Sequence, residues 1–404
     1  MAADLLSFEE ARARLLAGVH RLGAERVAVA DAAGRVLAED LVALEPLPRF
    51  DHSAMDGYAL ATSDLEGGGP FALQVAGESS AGNPPPSLAR GTACRIFTGA
   101  ALPDRADAVV MQEHVTREGG AMRFEARPRP GQHVRRAGED LAAEAVAIAA
   151  RTRLTAGGLA LAAMLGRSEV AVARRPLVTI LCTGDELRAP GDAPRPASVL
   201  ESNSAPLGAL ARQAGAQVRV APIARDDPRA TLRAVEQALD GTDLLLTVGG
   251  VSVGDHDVVR PALEQAGVTL DFWRVAVKPG KPIAFGRTAR SSVLGLPGNP
   301  ASAIVTFTLF GMPLLRALQG DARPIATPLR ARLASSRKRW PDRLELVRAM
   351  LQLDGGTLVA RVHDNQASGA ATSLASSDGL AFVPAGEGTL EAGAFVDFLR
   401  WSDA

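Results

Sequence analysis

The stretch Asp243-Leu244-Leu245-Leu246-Thr247-Val248-Gly249-Gly250-Val251-Ser252-Val253-Gly254-Asp255-His256-Asp257 constrains the fold of this chain more than any other. An apolar run of strand length, without polar alternation, enters a glycine loop that closes on two carboxylates flanking a histidine. Such a run suits a strand buried on both faces of a parallel sheet. In open α/β sheets ligands bind past the C-terminal ends of the strands, where loops converge and helix N-termini present free N–H groups. Gly249, Gly250 and Gly254 let the backbone approach an anionic group closely, and Ser252 adds a hydroxyl donor. The loop matches neither G-x-G-x-x-G nor a P-loop, since no Gly-Lys-Ser/Thr follows. Taken alone, it reads equally as a tight strand-to-helix turn with solvated acids.

At 404 residues the chain exceeds a single core and divides into about three or four domains. Acidic and basic residues nearly cancel, 45 against 44, so no nucleic-acid or membrane partner is expected and any anion site must be made locally. Cys94 and Cys182 lie in apolar runs without a C-x-x-C partner and read as buried thiols of a reducing compartment. Asp4, Glu9 and Glu10 stand where a signal peptide needs a basic start, and no apolar run has the length of a membrane span. The expectation is a cytoplasmic protein.

Ser7-Phe8-Glu9-Glu10 reads as a capping box opening a helix that stops near Gly23, with Phe8, Leu15 and Val19 on one face. From Phe50 to about Asp140, short apolar strands alternate with prolines and glycines, as in a small β domain. Residues 141–174 return to the character of the first segment. The expected organisation is a split domain of 1–45 and 141–174, an inserted β domain of 46–140, an α/β domain of 175–321 with a mainly parallel sheet, and a C-terminal β barrel or sandwich of 322–404. In the α/β domain, strands are expected at 177–182, 217–222, 243–248, 270–276 and 292–296, and helices at 203–214, 228–239, 258–266 and 300–318.

Four polar stretches fall at expected strand C-termini: Thr183-Gly184-Asp185-Glu186-Leu187, Arg225-Asp226-Asp227, the glycine loop ending at Asp257, and Leu296-Pro297-Gly298-Asn299-Pro300. In the last, Asn299 suits an N-cap and Pro300 the first helical position, with Ser302 in the first turn. Acids beside anion-binding loops repel an anion unless a hard cation lies between them, a place that suits Mg²⁺ with Asp226 and Asp257 as ligands. Arg274, Lys278 and Lys281 supply the opposite charge, since Pro279-Gly280 turns the chain between the lysines; the same turn also reads as an exposed loop with solvated lysines.

Phe50-Asp51-His52-Ser53-Ala54-Met55-Asp56-Gly57-Tyr58-Ala59, Arg95-Ile96-Phe97-Thr98-Gly99-Ala100, Ala106-Asp107-Ala108-Val109-Val110-Met111-Gln112-Glu113, Thr183-Gly184-Asp185-Glu186-Leu187, Gly249-Gly250-Val251-Ser252-Val253-Gly254-Asp255, Lys278-Pro279-Gly280-Lys281-Pro282 and Gly295-Leu296-Pro297-Gly298-Asn299-Pro300 together resemble the motifs of the molybdopterin molybdenumtransferases, the bacterial MoeA proteins related to the C-terminal domain of gephyrin. The resemblance implies an elongated homodimer that inserts molybdenum from molybdate into adenylylated molybdopterin with Mg²⁺ present, releasing AMP and molybdenum cofactor. It implies functional roles for Asp56, Thr98, Glu186, Asp226, Asp257 and Lys278. It implies binding roles for Gly249, Gly250, Ser252, Gly254, Arg274, Lys281, Pro297, Gly298, Asn299, Pro300, Ser302 and Arg343, and other cofactor-biosynthesis proteins as possible partners.

The sequence departs from the family pattern in two places. Glu144 stands where a glycine is expected, and Asp342-Arg343-Leu344-Glu345-Leu346 replaces a more usual Gly-Arg-x-Glu-Phe. Two other functions are compatible with the α/β module: an adenylyltransferase that activates the pterin, and a non-catalytic scaffold like gephyrin. The first needs only that module, and the second is expected to carry a further domain ahead of it.

Overall fold

The computed structural model describes residues 5–250 and 258–403. At its centre is a six-stranded sheet in the order Gln217–Val220, Leu177–Cys182, Leu244–Val248, Ser292–Leu296, Ala284–Arg287, Thr269–Phe272. The first four strands are mutually parallel, and Ala284–Arg287 runs against both of its neighbours. The unbroken apolar run has a direct cause. Leu244 and Leu246 point into a core with Leu207, Phe307 and Phe310, while Leu245 points into a second core with Val235 and Leu263 on the opposite face.

The strand expected over 270–276 is shorter. It ends at Phe272 after an irregularity near Leu270, and the sheet is completed by Ala284–Arg287, which carries no alternating signal. Val277–Lys278 leaves this sheet and pairs in parallel with Leu344–Asp354 of the C-terminal domain, Lys278 opposite Glu345.

Residues Pro300–Leu318 form a continuous helical rod, with a π-helical turn at Phe307–Gly311 between two α-helical parts. Pro313 cannot donate to the ladder, a usual cause of such a turn. The rod is long and apolar enough to cross a bilayer, but 83% of its most apolar window is buried, so its hydrophobicity serves the core.

Two strand pairs join residues on either side of the inserted segment: Ala24–Ala28 pairs antiparallel with Glu169–Ala173, and Leu41–Val42 with Val146–Ile148. The first helix departs from that grouping. It spans Phe8–Leu16, ending well before Gly23, and Phe8, Ala11 and Leu15 are buried in the α/β core, where Phe8 meets Phe310 at 5.5 Å. A three-residue apolar face gains more by joining the largest core than by covering the small linker. Ser7 caps it as expected, accepting from Glu10 N at 3.1 Å.

Between His52 and Arg135 lies the inserted domain, with a six-stranded sheet in the order Ala108–Met111, Gly57–Leu60, Thr92–Ile96, Phe71–Ser79, Ala121–Phe124, Thr116–Glu118. At its neck His52–Ser53 pairs with Val134–Arg135. The C-terminal domain is a closed five-stranded barrel: Leu344–Asp354, Thr357–Val362, Leu329–Leu333, Phe395–Arg400 and Gly379–Val383, the last pairing back to the first.

Candidate active site

Register places the site. Cys182, Val248 and Leu296 are level with one another on adjacent parallel strands, so Thr183, Gly249 and Pro297 leave the sheet side by side. Thr183 N donates to Val248 O at 3.0 Å, Gly249 N to Leu296 O at 3.1 Å and Gly184 N to Ala224 O at 3.1 Å. Gly249 and Gly250 have φ of +91° and +62°. A Cβ on Gly249 would lie 2.7 Å from Thr183 O, and one on Gly250 would lie 2.1 Å from Val259 Cγ2. Close packing as well as left-handed backbone therefore requires glycine here.

The floor of this edge is polar. Thr183 Oγ1, Thr247 Oγ1 and Asn203 Oδ1 are buried without a hydrogen-bond partner. Such atoms normally find a partner in protein or water, so a bound ligand is a natural complement. Asn203 Nδ2 donates to Gly298 O at 2.8 Å, tying the start of the helix Ser204–Gln213 to the loop after Leu296.

Glu201 fixes that corner. Its carboxylate accepts from Asn203 N at 2.6 Å, Ser204 N at 2.9 Å, Ser204 Oγ and Cys182 Sγ at 3.3 Å. Burial pushes the carboxyl up, yet these hydrogen bonds outweigh it and hold the group below the usual carboxylate range. Burial, reinforced by the Glu201 charge, pushes the Cys182 thiol well up. Glu201 and Asn203 were not singled out from the sequence. Their signal was the acid-Ser-Asn-Ser run immediately before a helix.

Of the acids expected at this edge, Asp226 and Glu186 are accessible. Asp226 is exposed, and its Oδ2 accepts from Asp185 N at 3.3 Å. Its neighbour Asp227 is the structural one, capping the helix Pro228–Leu239 through Ala230 N. Glu186 is exposed and its carboxylate folds back over Gly184. Ser252, Gly254 and Asp257 lie outside the described residues.

A second cluster lies where the α/β domain meets the barrel. Lys278 Nζ is 3.0 Å from Glu345 Oε1 and 4.3 Å from the centre of the Trp340 ring. Arg343 lies 5.1 Å over the same ring and is held by both oxygens of Asp342. The turn between the lysines presses on the long helix, since a Cβ on Gly280 would lie 2.2 Å from Thr306 Cγ2. Lys281 is exposed and Arg274 half-buried. The expected convergence of Arg274, Lys278 and Lys281 is therefore modified: Lys278 is partly spent on Glu345, and Arg343 and Trp340 join from the barrel.

The helix start joins the strand edge to a loop of the barrel domain. Pro300 opens the helix, Ser302 is buried in its first turn, and Asn299 stands at the N-cap position. The Asn299 side chain does not cap, contrary to expectation. Its Nδ2 donates to Ser368 Oγ at 3.0 Å, and Ala301 N donates to Ser368 O at 3.2 Å, so a barrel loop completes the cap instead. Trp340 and Ser368 had no separate sequence signal, and Glu345 appeared only as the acid of the Arg-x-Glu stretch.

Asp56 and Thr98 belong to the inserted domain, whose strands pair only with one another. Asp56 Oδ1 accepts from both Thr98 N and Thr98 Oγ1 at 2.8 Å, which holds its carboxyl below the usual range. Among the described residues, no hydrogen bond or ion pair ties either of them to the α/β domain of the same chain.

A mainly parallel sheet with a glycine-lined, acid-flanked strand edge, met by a barrel that brings cations, is the architecture of an α/β enzyme whose pocket is expected past the strand ends. Family models agree in detail. Residues 6–166 match "MoeA N-terminal region (domain I and II)", 179–317 match "Probable molybdopterin binding domain", and 330–401 match "MoeA C-terminal region (domain IV)". The molybdopterin molybdenumtransferase of Haemophilus influenzae is 39% identical over 78% of both chains. Molybdopterin molybdenumtransferase 2 of Mycobacterium tuberculosis is 36% identical over 93% of this chain and 94% of its own. The crystal structure of the molybdopterin biosynthesis MoeA protein of Pyrococcus horikoshii superposes with a TM-score of 0.85 at 28% identity, covering 98% of this chain and all of that one. The chain belongs to the molybdopterin molybdenumtransferase (MoeA) family and is a transferase.

Proposed function

We propose that this protein inserts molybdenum from molybdate into adenylylated molybdopterin, cleaving the phosphoanhydride and releasing AMP and molybdenum cofactor. The observation that carries this reading is the presence of two unlike sites along one helical rod, which the cradle loop enters at Asn299-Pro300 and on which the lysine turn packs at Thr306. A glycine cradle with unpartnered buried hydroxyl and amide oxygens suits a pterin with its phosphates, and a lysine–arginine cluster suits a tetrahedral dianion. The alternatives of an adenylyltransferase and a scaffold have no comparable support in the named relatives.

In this reading Gly249, Gly250, Ser252 and Gly254, with Pro297, Gly298, Asn299 and Pro300, shape the pterin-phosphate cradle. Lys278, Lys281, Arg274, Arg343 and Ser302 receive the oxyanion. Glu186 borders the cradle on the strand edge, and Asp56 and Thr98 reach it from the second subunit of a homodimer. Asp226 and Asp257 hold Mg²⁺. Among the described residues no group of three acids, histidines or cysteines is preassembled for a metal. An exposed Asp226 with a single long hydrogen bond fits an ion that takes one or two carboxylates and completes its shell with phosphate oxygens and water. Held there by Asp226 and Asp257, such an ion would supply charge neutralisation to the phosphoanhydride. The protein works in the cytoplasm beside other proteins of cofactor synthesis.

The test is to supply purified protein with adenylylated molybdopterin, molybdate and Mg²⁺, and to measure AMP and active cofactor. Asp226→Ala should lower AMP release by about a hundredfold or more, while an exposed loop carboxylate should change stability by under about 0.5 kcal/mol. Full activity of that variant at low Mg²⁺ removes the metal-ligand role, and no molybdate-dependent AMP from the wild type removes the reading itself.

A further inference from the structure

At the junction of the α/β domain and the barrel, three cations, Lys278, Arg337 and Arg343, pair with two carboxylates, Glu345 and Asp342, and the charge of Lys281 is felt at Asp342. The carboxylates play different parts. Glu345 is 3% exposed and takes Lys278 Nζ at 3.0 Å and Arg337 Nη2 at 3.3 Å, inside the strand pair that docks the two domains. Asp342 belongs to no strand, and its side chain is 49% exposed.

Despite that exposure, Asp342 grips Arg343 with both oxygens. Arg343 Nε donates to Oδ1 at 2.9 Å and Nη2 to Oδ2 at 2.8 Å. Two parallel N–H···O bonds are the arrangement in which a guanidinium takes a tetrahedral oxyanion. The Trp340 ring contacts both Arg343 and Lys278 Nζ, which brings the guanidinium and the lysine to one aromatic side chain. The Arg343 hydrogen bonds, and more weakly the charge of Lys281, hold the Asp342 carboxyl below its usual range.

We infer that Asp342 is a built-in competitor for the oxyanion, occupying the Nε–Nη2 edge of Arg343 on which the dianion would be gripped side-on. The inference rests on the reading of Arg343 and Lys281 as oxyanion ligands. Because Asp342 is the chain neighbour of Arg343, it is present at high effective concentration and cannot diffuse away. Binding of an anion on the Nε–Nη2 edge of Arg343 must first break two charge-assisted hydrogen bonds. The displaced carboxylate then remains close enough to repel the newcomer. The carboxylate thus keeps that edge closed to ambient anions and raises the molybdate concentration at which the site fills. This is a repulsive element of the kind that tunes affinity without adding a contact.

The test is titration of the full-length protein with molybdate, and with sulfate as a second tetrahedral dianion, at constant ionic strength. Wild type, Asp342→Asn, Asp342→Ala, Arg343→Gln and the double variant Asp342→Ala/Arg343→Gln are compared by calorimetry. Both Asp342 variants should bind molybdate and sulfate about tenfold more tightly, the scale of one net charge-assisted hydrogen bond. The gain should vanish in the double variant, which should match Arg343→Gln. If neither Asp342 variant tightens binding, or if both weaken it, Asp342 only positions Arg343 and the inference is overturned. A wild type that releases AMP in response to molybdate while the Asp342 variants show no gain sinks this inference alone. A wild type without that response sinks the proposed function beneath it.

Discussion

Lys278 Nζ lies 3.0 Å from Glu345 Oε1, so a lysine of the expected anion-binding turn is also the tie between the α/β domain and the barrel. The carboxylate is buried and shared with Arg337, whereas the lysine is 40% exposed. One side of the pair is structural and the other remains open to a ligand.

Glu345→Gln should therefore reduce stability by about 1–3 kcal/mol, because two cations lose a buried acceptor; urea unfolding measures it. Lys281→Ala should leave stability unchanged, since the side chain is exposed. It should raise the molybdate concentration needed for half-maximal AMP release by roughly ten- to a hundredfold. Unchanged molybdate dependence with weakened pterin binding would reassign Lys281 to the phosphates.

Gly250 and Gly298 border the same cradle and should respond differently. A Cβ on Gly250 meets Val259 Cγ2 at 2.1 Å with φ at +62°, whereas one on Gly298 first meets Gly249 Cα at 3.7 Å. Gly250→Ala should lower the unfolding free energy by about 1–3 kcal/mol through strain and overpacking. Gly298→Ala should leave it within about 0.5 kcal/mol. Equal urea midpoints for the two variants would contradict the packing described for Gly250.

Asp56 and Asp226 test the shared site. If the inserted domain serves the second subunit, Asp56→Ala and Asp226→Ala homodimers should each be inactive, yet a randomly exchanged equal mixture should recover about one quarter of wild-type activity. Half the dimers are then mixed, and each has one intact site of two. No recovery despite demonstrated exchange places both residues in one chain's site.

The two thiols should be unreactive in the folded protein. Cys94 is buried, and burial pushes its thiol up to about 11 from the ordinary 9.0. The neutral thiol is favoured by folding, so its contribution to stability is complete below pH 9 and is lost as pH rises from there towards about 11. Alkylation by iodoacetamide at pH 8 should be slow for Cys94 and Cys182 until urea unfolds the chain, because the thiolate is the reactive form. Rapid labelling of either in native buffer would show that it is open to solvent.

Local pattern was sufficient for much of this protein. Leu244–Val248 without alternation specified a strand with two buried faces, because each residue had to enter an apolar layer whichever way it pointed. Glycines at 249 and 250 and the Asn299-Pro300 helix start marked the strand edge for the same local reason: their backbone preferences belong to the residues themselves. Long motifs in order were enough to indicate the family.

Tertiary structure decided what depends on distant partners. The Phe8–Leu16 helix was visible, but which core it enters follows from competition between two apolar surfaces. Ala284–Arg287 becomes a strand because Ser292–Leu296 and Thr269–Phe272 offer their backbone groups on either side. Lys278 and Glu345 become partners only when a strand of the α/β domain joins a barrel sheet, and Ser368 caps a helix from another domain. Such pairings need surfaces from chain segments far apart in sequence. No periodicity within either segment records them, because the free energy that selects them exists only once both are folded and in contact.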